Sequence, residues 1–147
     1  MTDDGRQAAQ VVIDGLDEPR QSQLRHLHEV ILEALPGIDV GVWDYSGSLI
    51  GYGAFDYSNS KGPAGRWFSI GLANRKRFIS LYSMASGRDG YLIEEIHDQF
   101  PGTKIGRSCI NITKPGLIGD DAVRDLARAS WAQFKDGYQR QERQQKS

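Results

Sequence analysis

The sequence predicts an α+β fold, in which helices pack on one face of a mainly antiparallel five-stranded sheet. Three observations support it. Leucine and isoleucine recur at helical spacing near the N-terminus, five segments have the composition of strands, and short turns join several of them. The predicted order is helix, four strands, helix, strand and helix, which favours helices gathered on one side of the sheet.

The first predicted helix runs from about Asp17 to Leu35. Pro19 fits a first helical turn, where its missing N–H loses no hydrogen bond. Pro36-Gly37 ends the helix. Apolar side chains at helical spacing form one stripe facing the core: Leu24, Leu27, Ile31 and Leu35.

Two more helices are predicted, one from about Asp89 to Gln99 and the last from about Asp120 to Tyr138. A carboxylate at Asp120 or Asp121 can accept hydrogen bonds from the free N–H groups at the start of the last helix. The inner stripe of this helix consists of Val123, Leu126, Ala127, Ser130 and Phe134.

Five strand-like segments lie between and after these helices. They are Val40–Ser46, Leu49–Tyr57, Arg66–Leu72, Arg77–Ser83 and Arg107–Thr113. The stretches Ser46–Ser48 and Ala73–Lys76 are typical of short turns between antiparallel strands. The stretch Ser58–Gly65, rich in glycine and serine, is predicted to be a loop.

Alternation along the strands assigns side chains to two faces of the sheet. The face toward the helices is predicted to hold Val40, Val42, Phe68, Ile70, Leu72, Ile79, Leu81, Ile110 and Ile112. The opposite, aromatic and polar face is predicted to hold Trp43, Tyr45, Phe55, Tyr57, Trp67, Ser69, Phe78, Ser80, Tyr82, Cys109 and Asn111. Gly51 and Gly53 are expected to leave room beside these aromatic side chains.

The length of 147 residues predicts one domain over residues 11–138, between a flexible leader at 1–10 and a polar tail at 139–147. The leader lacks the basic and apolar regions of a signal peptide, and no apolar run reaches the length of a membrane span. The single cysteine, Cys109, is consistent with a reducing compartment. We therefore expect a cytoplasmic protein with no membrane partner.

The charge of the chain is nearly balanced. Its 18 Lys and Arg and 19 Asp and Glu give a formal net charge of −1. Proteins that bind polyanions through bulk charge are strongly basic. The total therefore disfavours nucleic acid as a partner, and leaves a local cationic patch open.

A series of short motifs follows in order within the stretch from Val12 to Ala132. The motifs are Trp43, Gly51-Tyr52-Gly53, Phe55 with Tyr57, Gly65-Arg66-Trp67, Gly71 to Lys76, Leu81-Tyr82 and Gly106 to Cys109. The series resembles the YdhG-like family, a bacterial domain of unknown function. Relatives often have Pro where this chain has Asn74, and Lys where it has Arg107. The resemblance implies a frataxin-like fold, with iron handling in some relatives, and implies no catalytic residues.

The aromatic face is the best candidate for a binding site, because aromatic rings with a few oriented polar groups are typical of small-ligand pockets. Cations at the predicted turn and before the last strand would form a rim for a phosphate or carboxylate. The candidate ligand-binding residues are Trp43, Tyr57, Trp67, Arg75, Lys76, Tyr82, Arg107 and Cys109. The alternative for the same face is self-association, in which a second copy covers the aromatic side chains.

A metal site is the second candidate. His26, Glu29 and Glu33 share one face of the first predicted helix. One imidazole and two carboxylates suit iron or another divalent ion. An ordinary solvated helix face explains the same pattern and is favoured, so no cofactor is predicted.

Cys109 follows Arg107 closely, and a neighbouring cation can lower the pKa of a thiol. The sequence pairs no base with this thiol, as a catalytic cysteine requires. A structural role for Cys109 is favoured, and no catalytic residue is predicted.

The sequence thus predicts a non-enzymatic binding domain that uses the aromatic sheet face and a cationic rim to bind a small anionic or aromatic ligand. One alternative is a frataxin-like iron chaperone. The other is a single-stranded nucleic-acid binder, because stacking aromatics flanked by cations are the shared feature of such proteins.

Overall fold

The computed structural model describes residues 2–106 and 108–136, without the side chains of residues 2, 3 and 59. The helices are α1 (Thr2–Asp14), α2 (Arg20–Ala34), α3 (Leu92–Glu95) and α4 (Asp120–Phe134). The strands are β1 (Val40–Asp44), β2 (Ser48–Asn59), β3 (Gly62–Asn74), β4 (Ile79–Ser83), β5 (Thr103–Gly106) and β6 (Cys109–Ile112). Single 3₁₀ turns lie at His97–Gln99 and Pro115–Leu117.

The α+β class is confirmed, and the predicted strand count is corrected from five to six within the described residues. The sheet is antiparallel throughout, in the order β1-β2-β3-β4-β6-β5. The unpredicted strand is β5, which pairs with β6 at the edge. The predicted loop Ser58–Gly65 instead continues the hairpin of β2 and β3, with a register shift between Tyr57 and Ser58.

The predicted flexible leader at residues 1–10 is replaced by the first part of helix α1. This helix packs against β1 and α2, and Ala9 and Ile13 are fully buried. Arg6 donates a hydrogen bond of 2.6 Å from Nη2 to the carbonyl of Ile38. A side chain at Gly5 would collide with the carbonyl oxygen of Val40. Helix α1 therefore covers the edge strand β1, which would otherwise offer unpaired backbone groups. The predicted tail at 139–147 lies outside the described residues.

The core lies between the sheet and the helices. It joins the predicted stripe of α2 to the aliphatic side chains of the strands and to Val123, Leu126 and Ala127 of α4. Seven of the residues assigned to this face by alternation are buried in this cluster: Val40, Ile70, Leu72, Ile79, Leu81, Ile110 and Ile112. Val42 packs at its margin.

Two aromatic residues lie on the face opposite to their prediction. Phe68 belongs to the cluster away from the helices, and Phe55 stacks on Phe134 of α4 with ring centroids 4.1 Å apart. The cause is an interruption of the β2–β3 ladder, where Gly53 has a φ of 67° and does not pair with Ser69. Glycine adopts positive φ without steric cost, and at this break Phe55 turns toward α4 and Phe68 toward the opposite face.

Hydrogen bonds from outside the ladder hold this interruption in place. The Gly53 N–H donates to the backbone carbonyl of Asp39 at 3.1 Å. The Ala54 N–H donates to the side-chain carboxylate of Asp39, also at 3.1 Å. The Ser69 hydroxyl donates to the carbonyl of Gly53 at 2.6 Å. These bonds satisfy backbone groups that would otherwise be buried without a partner.

A buried imidazole sits under helix α2. The His28 Nδ1 lies 2.6 Å from the hydroxyl of the fully buried Tyr52. Burial lowers the pKa of His28, and the positive charge of Arg6 lowers it further. Folding therefore favours the neutral form of this imidazole.

This burial predicts a stability that falls with acid. The unfolded chain takes up a proton at the ordinary imidazole pKa of about 6.5, whereas folded His28 resists protonation. Stability should therefore decrease as the pH falls below about 6.5. The His28→Gln variant keeps a polar partner for Tyr52 and should flatten this dependence in urea denaturation at pH 7.5 and 5.5. The exposed His26→Gln variant should retain it, and equal slopes for wild type and His28→Gln would contradict the assignment.

Candidate binding face of the sheet

Five aromatic rings cover the sheet face that points away from the helices. We call them the aromatic platform: Trp43, Tyr45, Trp67, Phe68 and Tyr82. Phe68 lies at the centre, with ring centroids 5.5 Å from Trp43, 4.7 Å from Trp67 and 6.2 Å from Tyr82. Tyr45 closes the group, at 5.5 Å from Trp67 and 5.7 Å from Tyr82.

The buried base of the platform consists of Leu49, Ala73 and Cys109, together with Phe68 and Tyr82. No residue of a described helix belongs to this cluster. Tyr45 is 39% exposed, and Trp43 and Trp67 are partly buried. The platform is thus a packed aromatic layer with part of its surface open.

Three glycines form the floor beneath the platform. Gly41, Gly51 and Gly71 are cross-strand neighbours on β1, β2 and β3. A Cβ at Gly51 would lie 2.5 Å from the Trp43 ring, and one at Gly71 would lie 2.6 Å from the Phe68 ring. The room expected beside Gly51 is therefore already filled by the chain's own rings.

Gly53 does not contribute to this floor, which corrects the prediction that it leaves room on the same face as Gly51. A Cβ at Gly53 would lie 2.6 Å from the ring of Trp131 on α4. The reason is the ladder interruption at Gly53. A ligand of the platform must consequently lie on the rings, because Gly53 opens no slot between them.

Arg75 ties the turn between β1 and β2 to the platform. Its Nη1 donates to the carbonyl of Ser46 at 2.8 Å, and its Nη2 donates to the carbonyl of Tyr45 at 2.9 Å and to the Tyr82 hydroxyl at 3.1 Å. The guanidinium carbon lies 6.0 Å from the Tyr82 ring centroid, within cation–π range. Arg75 is present at the predicted rim, but these bonds use three of the four N–H groups on its terminal nitrogens, while its charge remains.

The other predicted rim residues have different outcomes. Lys76 is exposed and lines an open groove of about 600 Å³ between the β3–β4 turn and the segment before α2. Tyr57 lies farther along the hairpin, where its ring covers Gly65, and it contacts no ring of the platform. Arg107 lies outside the described residues. The structure thus brings Trp43, Trp67, Arg75, Tyr82 and Cys109 together and leaves Tyr57 and Lys76 apart.

Cys109 packs into the base of the platform as an apolar residue. Its Sγ lies 3.7 Å from Oδ1 of Asn111, which also accepts a 2.9 Å hydrogen bond from Ser80. Burial raises the pKa of the Cys109 thiol, and this effect outweighs the opposing charge of Arg75. A thiol held in its protonated form is a poor nucleophile, so the geometry agrees with a structural role.

In the structure, the predicted metal ligands contact different side chains and do not converge on one site. His26 Nε2 lies 2.8 Å from the Asp120 carboxylate, and Glu33 accepts a 3.1 Å bond from Arg124. Glu29 is exposed. Among residues 2–106 and 108–136, no group of three or more His, Cys, Asp or Glu side chains is arranged to hold a metal ion.

We predict that Fe(II) binds His26, Glu29 and Glu33 no more tightly than about 1 µM, or roughly −8 kcal/mol. The reason is that His26 and Glu33 already bond to different residues of α4. Anaerobic isothermal titration would measure the affinity. Tighter stoichiometric binding that is lost in the Glu29→Ala, Glu33→Ala double variant would contradict the prediction.

Two platform residues are absent from the predicted ligand-binding set. Tyr45 lies two residues after Trp43 and was predicted on the same face, so the sequence was sufficient to include it in the ligand-binding set. Phe68 carried no such signal, because strict alternation places it in the core, and only the interruption at Gly53 turns it outward.

Comparison with known proteins assigns no family and no function to this site. None of the helices in the described part of the chain is long and apolar enough to cross a bilayer. No protein-family model, no curated protein and no solved structure matches the chain.

Proposed function

We propose that this protein is a non-enzymatic binding domain that holds a small planar, anionic ligand on the aromatic platform. One observation carries the proposal: five contiguous rings cover a sheet face on which no described helix packs. Phe68 and Tyr82 are buried within the platform, and its open part is formed by Tyr45 with the partly buried Trp43 and Trp67. Exposed apolar patches of this kind mark binding surfaces. The resemblance to the YdhG-like family and a cytoplasmic location belong to the same proposal.

The chemistry of the face favours binding over catalysis. The Cys109 thiol is buried with a raised pKa, and Arg75 is bonded to two backbone carbonyls and a phenol. These groups stabilise the platform itself. Iron handling is the weaker candidate, because the helix residues that would serve it are bonded elsewhere.

A thermal-shift screen of nucleotides, aromatic carboxylates and divalent metals tests the proposal, since a ligand that binds only the folded state raises the melting temperature. The Tyr45→Ala variant removes an exposed ring but keeps the carbonyl that Arg75 uses. It should weaken binding of the best planar anion by about 1–3 kcal/mol in calorimetric titration.

The matched control is Leu117→Ala, which shortens an exposed apolar side chain in a 3₁₀ turn away from the platform. It should leave binding unchanged. Self-association is the competing outcome. If the protein elutes as a dimer and Tyr45→Ala yields monomers, the platform is an assembly surface and the proposal fails.

A further inference from the structure

We infer that the ligand of the aromatic platform is a single strand of nucleic acid, an inference that rests on the proposed function. The starting observation is a segregation of charge that the near-zero total conceals. Residues 40–83, 103–106 and 108–114, which form the sheet and its hairpin turns, carry seven Lys and Arg but only two Asp and Glu. The other described residues, 2–39, 84–102 and 115–136, carry seven Lys and Arg and sixteen Asp and Glu.

The described part of the chain therefore has a cationic sheet, with a formal charge of +5 (seven minus two), and acidic helices and connections, with a formal charge of −9 (seven minus sixteen). An anionic chain is attracted to one side and repelled from the other, because the local potential steers association more than the net charge does. The argument from net charge against nucleic acid does not hold for this distribution.

Exposed cations lie at the ends of the strands that carry the platform. Arg77 is exposed on the turn after β3, next to Lys76, which lines the groove beside α2. Lys114 is exposed two residues after β6, whose Ile112 pairs with Ile79. Arg66 is exposed on the β2–β3 hairpin, where its carbonyl accepts the indole N–H of Trp43 at 3.4 Å and its guanidinium lies 3.5 Å from the Asp56 carboxylate. These positions flank the rings at both ends of the strands.

A fifth exposed cation lies on the far edge of the sheet. Lys104 on β5 pairs with Asn111 of β6, which pairs in turn with Ser80 of β4. Directly paired residues project from the same face of a sheet. Lys104 thus shares the face of Asn111, whose amide oxygen contacts Cys109 at the platform base.

The arrangement matches the requirements of a single strand and not those of a duplex. Stacking on aromatic rings needs bases whose flat faces are free, and a duplex already stacks its own bases. Six strands spaced about 4.8 Å apart span roughly 24 Å. Backbone phosphates can reach the flanking Lys and Arg while bases lie on Tyr45 and its neighbours.

The test is fluorescence anisotropy with a labelled eight-nucleotide oligo(U), at several salt concentrations, using the whole protein. The Arg77→Gln, Lys104→Gln double variant should bind more weakly and lower the magnitude of the log–log salt slope by about 1.4. The matched control removes two exposed cations of the helical side, Arg128→Gln with Lys135→Gln, and should retain the wild-type slope. Tyr45→Ala should weaken binding by roughly 5- to 150-fold. Circular dichroism verifies that each variant folds.

The possible results separate the inference from the proposed function. Equal weakening by the two double variants, or equal affinity for a duplex of the same length, would overturn the inference. If uridine monophosphate binds the platform as tightly as the octamer, the single-strand inference fails while the small-ligand proposal stands. If neither the octamer nor any planar anion binds, both fail.

Discussion

Replacing Leu81 or Ile110 by alanine should lower the free energy of unfolding by about 2–5 kcal/mol, the range for large-to-small changes in a packed core. The two side chains are 1% and 0% exposed and lie in the cluster beneath the helices. Leu81 and Ile110 are directly opposite each other on β4 and β6, and Leu72 and Ile105 flank them on β3 and β5. Each truncation removes apolar contacts and leaves a cavity in the core where β4 and β6 pair.

Urea denaturation followed by circular dichroism measures the loss. Leu117→Ala is the matched control, because it removes the same atoms from a side chain that is 52% exposed. It should change stability by no more than about 0.5 kcal/mol. A loss in Leu81→Ala no larger than in this control would mean that the aliphatic face is not the core.

Regular alternation was enough to predict this core. Ile79 and Leu81, and likewise Ile110 and Ile112, alternate with small or polar residues, and all four are buried on the predicted face. The same reasoning identified the face that carries Trp43 and Tyr82. Both predictions are correct because the strands concerned pair without a break in their ladders.

Elements that form through contacts with distant parts of the chain could not be predicted from alternation. Strand β5 contains one large apolar side chain, Ile105, which is 38% exposed, and the strand exists through its pairing with β6. Helix α1 is polar on most of its surface, and its buried contacts are Ala9 and Ile13. Its position depends on packing against the edge strand β1, and this long-range contact cannot be predicted from the sequence of the helix alone.

The candidate site departs from its prediction for a similar reason. Arg75 was expected to present a free cation, whereas it bonds the carbonyls of Tyr45 and Ser46, about thirty residues earlier in the chain. Phe68 was placed in the core because alternation cannot anticipate a break held by Asp39. Side-chain bonds between distant segments decide both outcomes.

The second large effect is expected from the glycine floor of the platform. Gly51→Ala and Gly71→Ala should each lower the free energy of unfolding by about 1–3 kcal/mol through overpacking. The new methyl group would lie 2.5 Å from the Trp43 ring at Gly51, and 2.6 Å from the Phe68 ring at Gly71. Neither glycine is among those with positive φ, so the conflict lies with the rings and not with the backbone.

Gly116→Ala is the control for this pair, since no atom lies within 4 Å of its Cβ position and its φ is not positive. It should be neutral or slightly stabilising, by up to about 1 kcal/mol, because alanine restricts the unfolded chain. The floor variants should also change the near-ultraviolet circular dichroism of Trp43 and Trp67 and weaken any ligand that stacks on the platform. Wild-type stability together with an unchanged aromatic spectrum in Gly51→Ala would show that the rings do not rest on the glycine floor, and the platform geometry would then have to be revised.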